Sequence, residues 1–188
     1  PLDASTAKVW LGDIPFVRLR KLLPASITGQ NSGFAQAVSA ANRALDQIEL
    51  EVDIAQCCVR VNQQSIALPP MQMGLLGLLA WRCQQQLPPL RAPLKEVDDP
   101  EWRAMVRREL GQALGEMNIP DSLDKRLKES KPMGGTVSEQ LSKMEKTLTN
   151  SGALPLSGLI TRTNIGTRSR QQGYSLHLQA ERVRITKP

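Results

Sequence analysis

Eight polar and basic residues in the last third of the chain have side chains that can hydrogen-bond to nucleotide bases and phosphates. Five recur between 140 and 150 at helical spacing, and three arginines follow between 162 and 170. The set is Gln140, Lys143, Lys146, Thr147, Asn150, Arg162, Arg168 and Arg170. Amide and ammonium groups suit base edges, and arginine suits phosphates or a minor groove. A solvated helix face would have the same composition, so the pattern alone leaves both interpretations open.

The formal charge of the chain is concentrated in the same region. The 188 residues carry 24 Lys+Arg and 18 Asp+Glu, which gives a net charge of +6. Residues 1–130 contain 15 of each sign, whereas residues 131–188 contain 9 Lys+Arg and 3 Asp+Glu. This asymmetry favours an acidic partner for the C-terminal third, although net charge by itself says little about function.

A helix and a β-ribbon are predicted to position these groups. Thr136 and Glu139 have the spacing of a capping box, which would start the helix. Its expected buried stripe consists of Val137, Leu141, Met144 and Leu148. Residues 159–164 and 173–178 are strand-like and would form the ribbon, with Arg168 and Arg170 near its tip. Residues 180–185 could add another strand.

The scaffold before this region begins with a predicted antiparallel meander. Apolar residues alternate over 48–52, and strand-like stretches follow at 57–61 and 65–68. The apolar helix predicted over 71–86 would be the buried centre of its domain.

Two further helices are predicted after the proline-rich loop at 87–97. The first begins at Asp98-Asp99-Pro100-Glu101 and runs to about Met117, with an acidic cap and an early proline. Its arginines, Arg103, Arg107 and Arg108, are expected on a solvated face. The second helix runs from 120 to about 129.

The order of these elements resembles the winged helix of response-regulator effector domains, over roughly residues 48–178. The segment IALPPMQMGLLGLLAWRC resembles the entry into that family's first helix, and Gly173-Tyr174 resembles the close of its wing. The resemblance implies an α+β fold, a winged helix-turn-helix with an N-terminal antiparallel β-meander and extra helices. The winged-helix domain would span 48–188, with a helical insert at 88–130 that departs from the family pattern.

The segment IPFVRLRKLLP, followed by a helix, the meander and the LPP-helix, is similar to the C-terminal part of a family of CRISPR-associated Rossmann-fold (CARF) proteins. This resemblance implies an antiviral-defence protein with an N-terminal CARF domain that binds cyclic oligoadenylate. Residues 1–47 would then be a linker and helical segment joined to that sensor, which is expected to precede Pro1.

Enzymatic chemistry is not indicated. Three cysteines and the single histidine, His177, give no zinc-ligand spacing, and neither a GxGxxG nor a P-loop motif occurs. Arg170 and His177 lie seven residues apart on a ribbon, which does not fit a ribonuclease pair on a helix. We therefore expect no catalytic residue, no metal and no cofactor. The lack of a long apolar run and the cysteine usage favour a cytoplasmic protein without membrane contact.

Two functions remain after this exclusion. The first is a nucleic-acid-binding module, most simply for double-stranded DNA and transcription regulation, built from the helix and ribbon. The alternative is a protein-interaction or dimerisation module that does not bind nucleic acid, and a homodimer is compatible with both. An exposed apolar patch near Trp10, Phe16 or Trp102 would mark the alternative.

Overall fold

Four α-helices and two small sheets make up residues 48–151, 159–164 and 171–187, which are the part of the chain that the computed structural model describes. The mixed α+β composition expected from the sequence is confirmed. The predicted linker and helical segment at 1–47 lies outside these residues.

The predicted meander is confirmed. Strands β1 (Leu50–Asp53), β2 (Cys58–Val61) and β3 (Gln64–Ala67) pair antiparallel in sequence order. Asn62 and Gln63, which join β2 to β3, have φ angles of 48° and 70°. Positive φ at both loop residues gives a two-residue hairpin whose twist matches its strands. The apolar face of the meander is buried and consists of Leu50, Val52, Val59, Val61 and Ile66.

The last strand returns to this first sheet. Strand β7 (Val183–Thr186) pairs parallel with β1, so the strand order is β3-β2-β1-β7. The strand predicted from 180 begins three residues later, because Ala180–Arg182 form a single 3-10 turn. This pairing joins sequence positions more than 130 residues apart, which no local pattern could reveal.

A second sheet contains the predicted ribbon. Strands β5 (Ile160–Asn164) and β6 (Gln172–Leu176) pair antiparallel, and the two-residue strand β4 (Leu90–Arg91) adds to the other side of β6. The prediction of a plain loop over 87–97 is therefore wrong at Leu90 and Arg91. Leu90 is 1% exposed and lies opposite Tyr174, so a distant partner fixes this short segment as a strand.

The four helices are α1 (Pro70–Gln84), α2 (Pro100–Leu114), α3 (Asp121–Lys128) and α4 (Gly134–Asn150). As expected, α1 is the centre of the unit: ten of its fifteen residues are buried, and it packs on the other three helices and on both sheets. Helix α2 begins as predicted, with the Asp99 carboxylate accepting from the Trp102 amide at 2.9 Å. It ends at Leu114 rather than Met117, because Gly115 has a φ of 93° that does not continue a helix.

Arg103 corrects one expectation about α2. The sequence places it on a solvated face, but the residue is only 9% exposed. Its guanidinium contacts the Asp98 carboxylate at 2.9 Å and donates to the Leu127 carbonyl at 2.9 Å. Since Leu127 lies in the last turn of α3, Arg103 satisfies a carbonyl at that helix end and ties α3 to α2.

Asp124 makes the stability of the fold depend on pH at the contact between α2 and α3. The Lys128 ammonium and then the Arg107 guanidinium lower the pKa of its carboxyl from the ordinary 3.8. A lowered folded-state pKa stabilises the fold above about pH 4 and loses that effect as the pH falls further. We expect Asp124→Asn to cost about 1 kcal/mol at pH 7, since both cations are partly in water. Urea titrations should show the difference from wild type shrinking at pH 3, and an unchanged difference would contradict this account.

Candidate nucleic-acid interface

Helix α4 begins two residues before the predicted cap. Met133 is the N-cap residue and uses no side-chain hydrogen bond, while Thr136 lies inside the first turn. The predicted capping box of Thr136 and Glu139 is therefore wrong. The early start is possible because residue 134 is glycine: a Cβ there would overlap the Pro93 carbonyl oxygen and lie 2.9 Å from the Leu94 backbone. The close approach fixes the start of α4 against the β4–α2 connection.

The predicted division of α4 into two faces is confirmed. Its apolar stripe is at most 1% exposed and consists of Val137, Leu141, Met144 and Leu148. The opposite face is open to solvent and includes three of the predicted residues, Lys143, Lys146 and Asn150. It also includes Glu139, Ser142 and Thr149, which sequence reasoning did not select although the same helical spacing places them there.

The other two predicted residues of α4 are already engaged within the protein. Gln140 is half-buried, and its side-chain oxygen accepts from the Gln72 amide of α1 at 3.3 Å. Thr147 is half-buried, and its hydroxyl donates to the Lys143 carbonyl at 3.1 Å. These two side chains are thus less available to an external partner than the three exposed ones.

Arg162 connects the ribbon to α4. It lies on β5, and its guanidinium contacts the Glu145 carboxylate at 2.5 Å and the Ser142 hydroxyl at 3.5 Å. The contact places β5 at the flank of α4, where half-buried Glu145 adjoins Ser142 of the exposed face. Sequence reasoning missed Glu145 because it selected only neutral polar and basic groups. Arg168 and Arg170, predicted near the ribbon tip, lie outside the described residues.

The exposed face of α4 and the adjoining Arg162 on β5 form one surface, and its cations are largely paired with carboxylates. Lys143 contacts Glu139 at 2.6 Å, one helical turn earlier, and this hydrogen bond lowers the pKa of Glu139. Arg162 is paired with Glu145, whereas Lys146 is exposed and makes no ion pair within the described part of the chain. The described portion of the surface therefore combines three cations with two carboxylates.

The described ranges meet neither the requirements of a metal site nor those of a membrane-spanning helix. They contain no group of three His, Cys, Asp or Glu side chains arranged to hold a metal ion. His177 is exposed just beyond β6. Burial raises the pKa of the Cys83 thiol, which donates to the Leu178 carbonyl at 3.3 Å. None of the helices in these ranges combines the length and apolar character needed to cross a bilayer.

Trp102 does not form the exposed apolar patch that would indicate a protein-interaction or dimerisation module. This side chain is 7% exposed, and its indole N–H donates to the Arg91 carbonyl at 2.5 Å. The large apolar side chains that are exposed among the described residues are Leu87, Leu94, Val97 and Met117. Trp10 and Phe16 belong to the part of the chain that is not described.

Comparisons of the chain with models of known protein families, with curated proteins and with solved structures found no match. The two resemblances drawn from the sequence therefore remain hypotheses that rest on the residues themselves.

Proposed function

We propose that residues 48–188 form a winged-helix domain that binds double-stranded DNA through α4 and the β5–β6 ribbon. The observation that carries this proposal is the position of α4, whose flank, next to the exposed polar face, contacts a strand of the ribbon through the Arg162–Glu145 pair. The element order supports it, because a winged helix also places a helix of this kind directly before a two-stranded wing. Strand β4 braces the ribbon from the other side of β6.

The proposed mechanism is binding alone. Helix α4 would lie in the major groove, which is wide enough for one helix, with Lys143, Lys146 and Asn150 toward bases and phosphates. Arg168 and Arg170 would contact phosphates or enter the minor groove at the ribbon tip. Lys143 and Arg162 are paired with carboxylates. Arg168, Arg170 and Lys146 are therefore expected to supply much of the electrostatic attraction to DNA.

The wider proposal follows the CARF resemblance. A domain that senses cyclic oligoadenylate would control DNA binding by this module, in a cytoplasmic regulator of CRISPR-associated antiviral defence. Helix-turn-helix proteins commonly bind as dimers to half-sites one helical turn apart, so a homodimer on a palindromic site is part of this proposal.

Replacing Arg168 and Arg170, the two arginines that the sequence predicts near the ribbon tip, tests the interface. We expect Arg168→Ala with Arg170→Ala to weaken duplex binding on the order of tenfold, and to reduce the slope of log affinity against log salt by about 2. Fluorescence anisotropy of a labelled duplex at two salt concentrations would measure both quantities.

A matched control removes two exposed cations elsewhere. Arg108→Ala with Lys125→Ala changes the net charge equally, on α2 and α3, at residues without ion pairs in the described structure. This variant should keep most of the affinity. Equal binding by wild type and the ribbon variant would contradict the proposed interface.

A further inference from the structure

Glu139 is the first residue of the exposed face of α4 and lies on the centre line of that face. At about 100° per residue, positions 139, 143, 146 and 150 fall within roughly 60° of one another around the helix. The side chains of Glu139 and Lys143 are each 59% exposed. A carboxylate on the centre line of this face would repel DNA phosphates, so it does not assist non-specific binding.

The pair of head groups fits the major-groove edge of a C·G pair better than that of an A·T pair. Both edges present an amino donor beside an acceptor, but the adenine N7 acceptor adjoins the adenine donor and would repel a carboxylate. A C·G pair presents the cytosine N4 donor beside two guanine acceptors, O6 and N7, which suit an ammonium. Glu139 is an acceptor and Lys143 a donor, and their contacting atoms lie 2.6 Å apart. A carboxylate and an ammonium held side by side thus mirror the donor and acceptors of that edge.

We infer that Glu139 and Lys143 read a C·G base pair in the major groove, with Glu139 accepting from cytosine N4 and Lys143 donating to guanine. The inference rests on the proposed function and adds its specificity-determining residue. In the free protein the two side chains form an ion pair with each other. On binding, Glu139 would form a hydrogen bond with cytosine and Lys143 with guanine, each in place of part of that ion pair. Lys146, Arg168 and Arg170 would then contact phosphates.

Selection from a randomised duplex pool, followed by anisotropy titrations of the selected site, tests the inference. Wild type should enrich one C·G position, and duplexes with an A·T pair there should bind about tenfold more weakly. Glu139→Ala should weaken the preference at that position, because only the Lys143 contact to guanine would remain. Glu139→Gln should shift the preference toward adenine, since a glutamine amide pairs with adenine N6 and N7.

Glu101→Gln is the matched control, because it removes an exposed carboxylate from the first turn of α2 rather than from α4. It should select the same site as wild type. An unchanged C·G preference in Glu139→Ala would overturn the inference, and the Glu139–Lys143 pair would then only stabilise the helix.

Two outcomes separate this inference from the proposed function. Salt-dependent duplex binding by wild type without any C·G preference would overturn the reading by Glu139 and leave DNA binding intact. Failure of wild type to bind any duplex in the pool would overturn both.

Discussion

Replacing Arg82 by methionine is expected to lower the free energy of unfolding by about 3–5 kcal/mol, because it leaves a largely buried carboxylate without its cation. Arg82 on α1 donates to Glu109 on α2 at 2.6 Å, and the two side chains are only 11% and 12% exposed. Arg82 also donates to the Pro88 carbonyl at 2.7 Å, just before β4. One side chain therefore connects α1, α2 and the chain leading to the second sheet.

Urea titrations followed by circular dichroism would measure this loss, and a double-mutant cycle would assign it. Glu109→Leu combined with Arg82→Met removes both charges and should be more stable than Arg82→Met alone. It should not reach wild type, since the bond to Pro88 is still absent. A double variant no more stable than Arg82→Met would show that the ion pair is not the source of the loss.

Changing Gly134 to alanine should destabilise the protein by about 2–3 kcal/mol, although alanine favours helices. The new methyl group would overlap the Pro93 carbonyl oxygen and approach the Leu94 backbone at 2.9 Å. Backbone atoms cannot rotate away as a side chain can, so the start of α4 and the β4–α2 connection must separate. Because α4 is the proposed DNA-reading helix, duplex affinity should fall with stability.

Gly135 provides the matched control for this substitution. It is the next residue of α4, and a Cβ at this position would have no atom outside its own helix turn within 4 Å. We expect Gly135→Ala to be neutral or stabilising by up to about 0.5 kcal/mol. Thermal unfolding of both variants distinguishes the cases, and equal stability of the two would contradict the close packing at Gly134.

The sequence predicted the elements whose signals are local. Alternating apolar residues in 48–52 predicted the meander, and the spacing of three and four between Val137, Leu141, Met144 and Leu148 predicted the orientation of α4. The strand at Leu90–Arg91 and the pairing of β7 with β1 could not be predicted, since each depends on a partner far along the chain.

The candidate site was predicted in outline and not in detail. Helical spacing identified Lys143, Lys146 and Asn150 as exposed, because residues three or four apart share a face. It could not identify Gln140 as engaged, since its partner Gln72 is 68 residues earlier. The carboxylates Glu139 and Glu145 were missed because base and phosphate recognition was sought only among neutral polar and basic side chains.

The salt dependence of duplex binding tests the central claim most directly. A labelled duplex titrated with the wild-type chain at 50 mM and 200 mM salt should lose roughly fortyfold in affinity. That figure assumes about three phosphate contacts, from Lys146, Arg168 and Arg170, because Arg162 is paired with Glu145. The absence of binding at 50 mM, or an affinity that does not change with salt, would contradict the assignment of α4 and the ribbon as a DNA-binding surface.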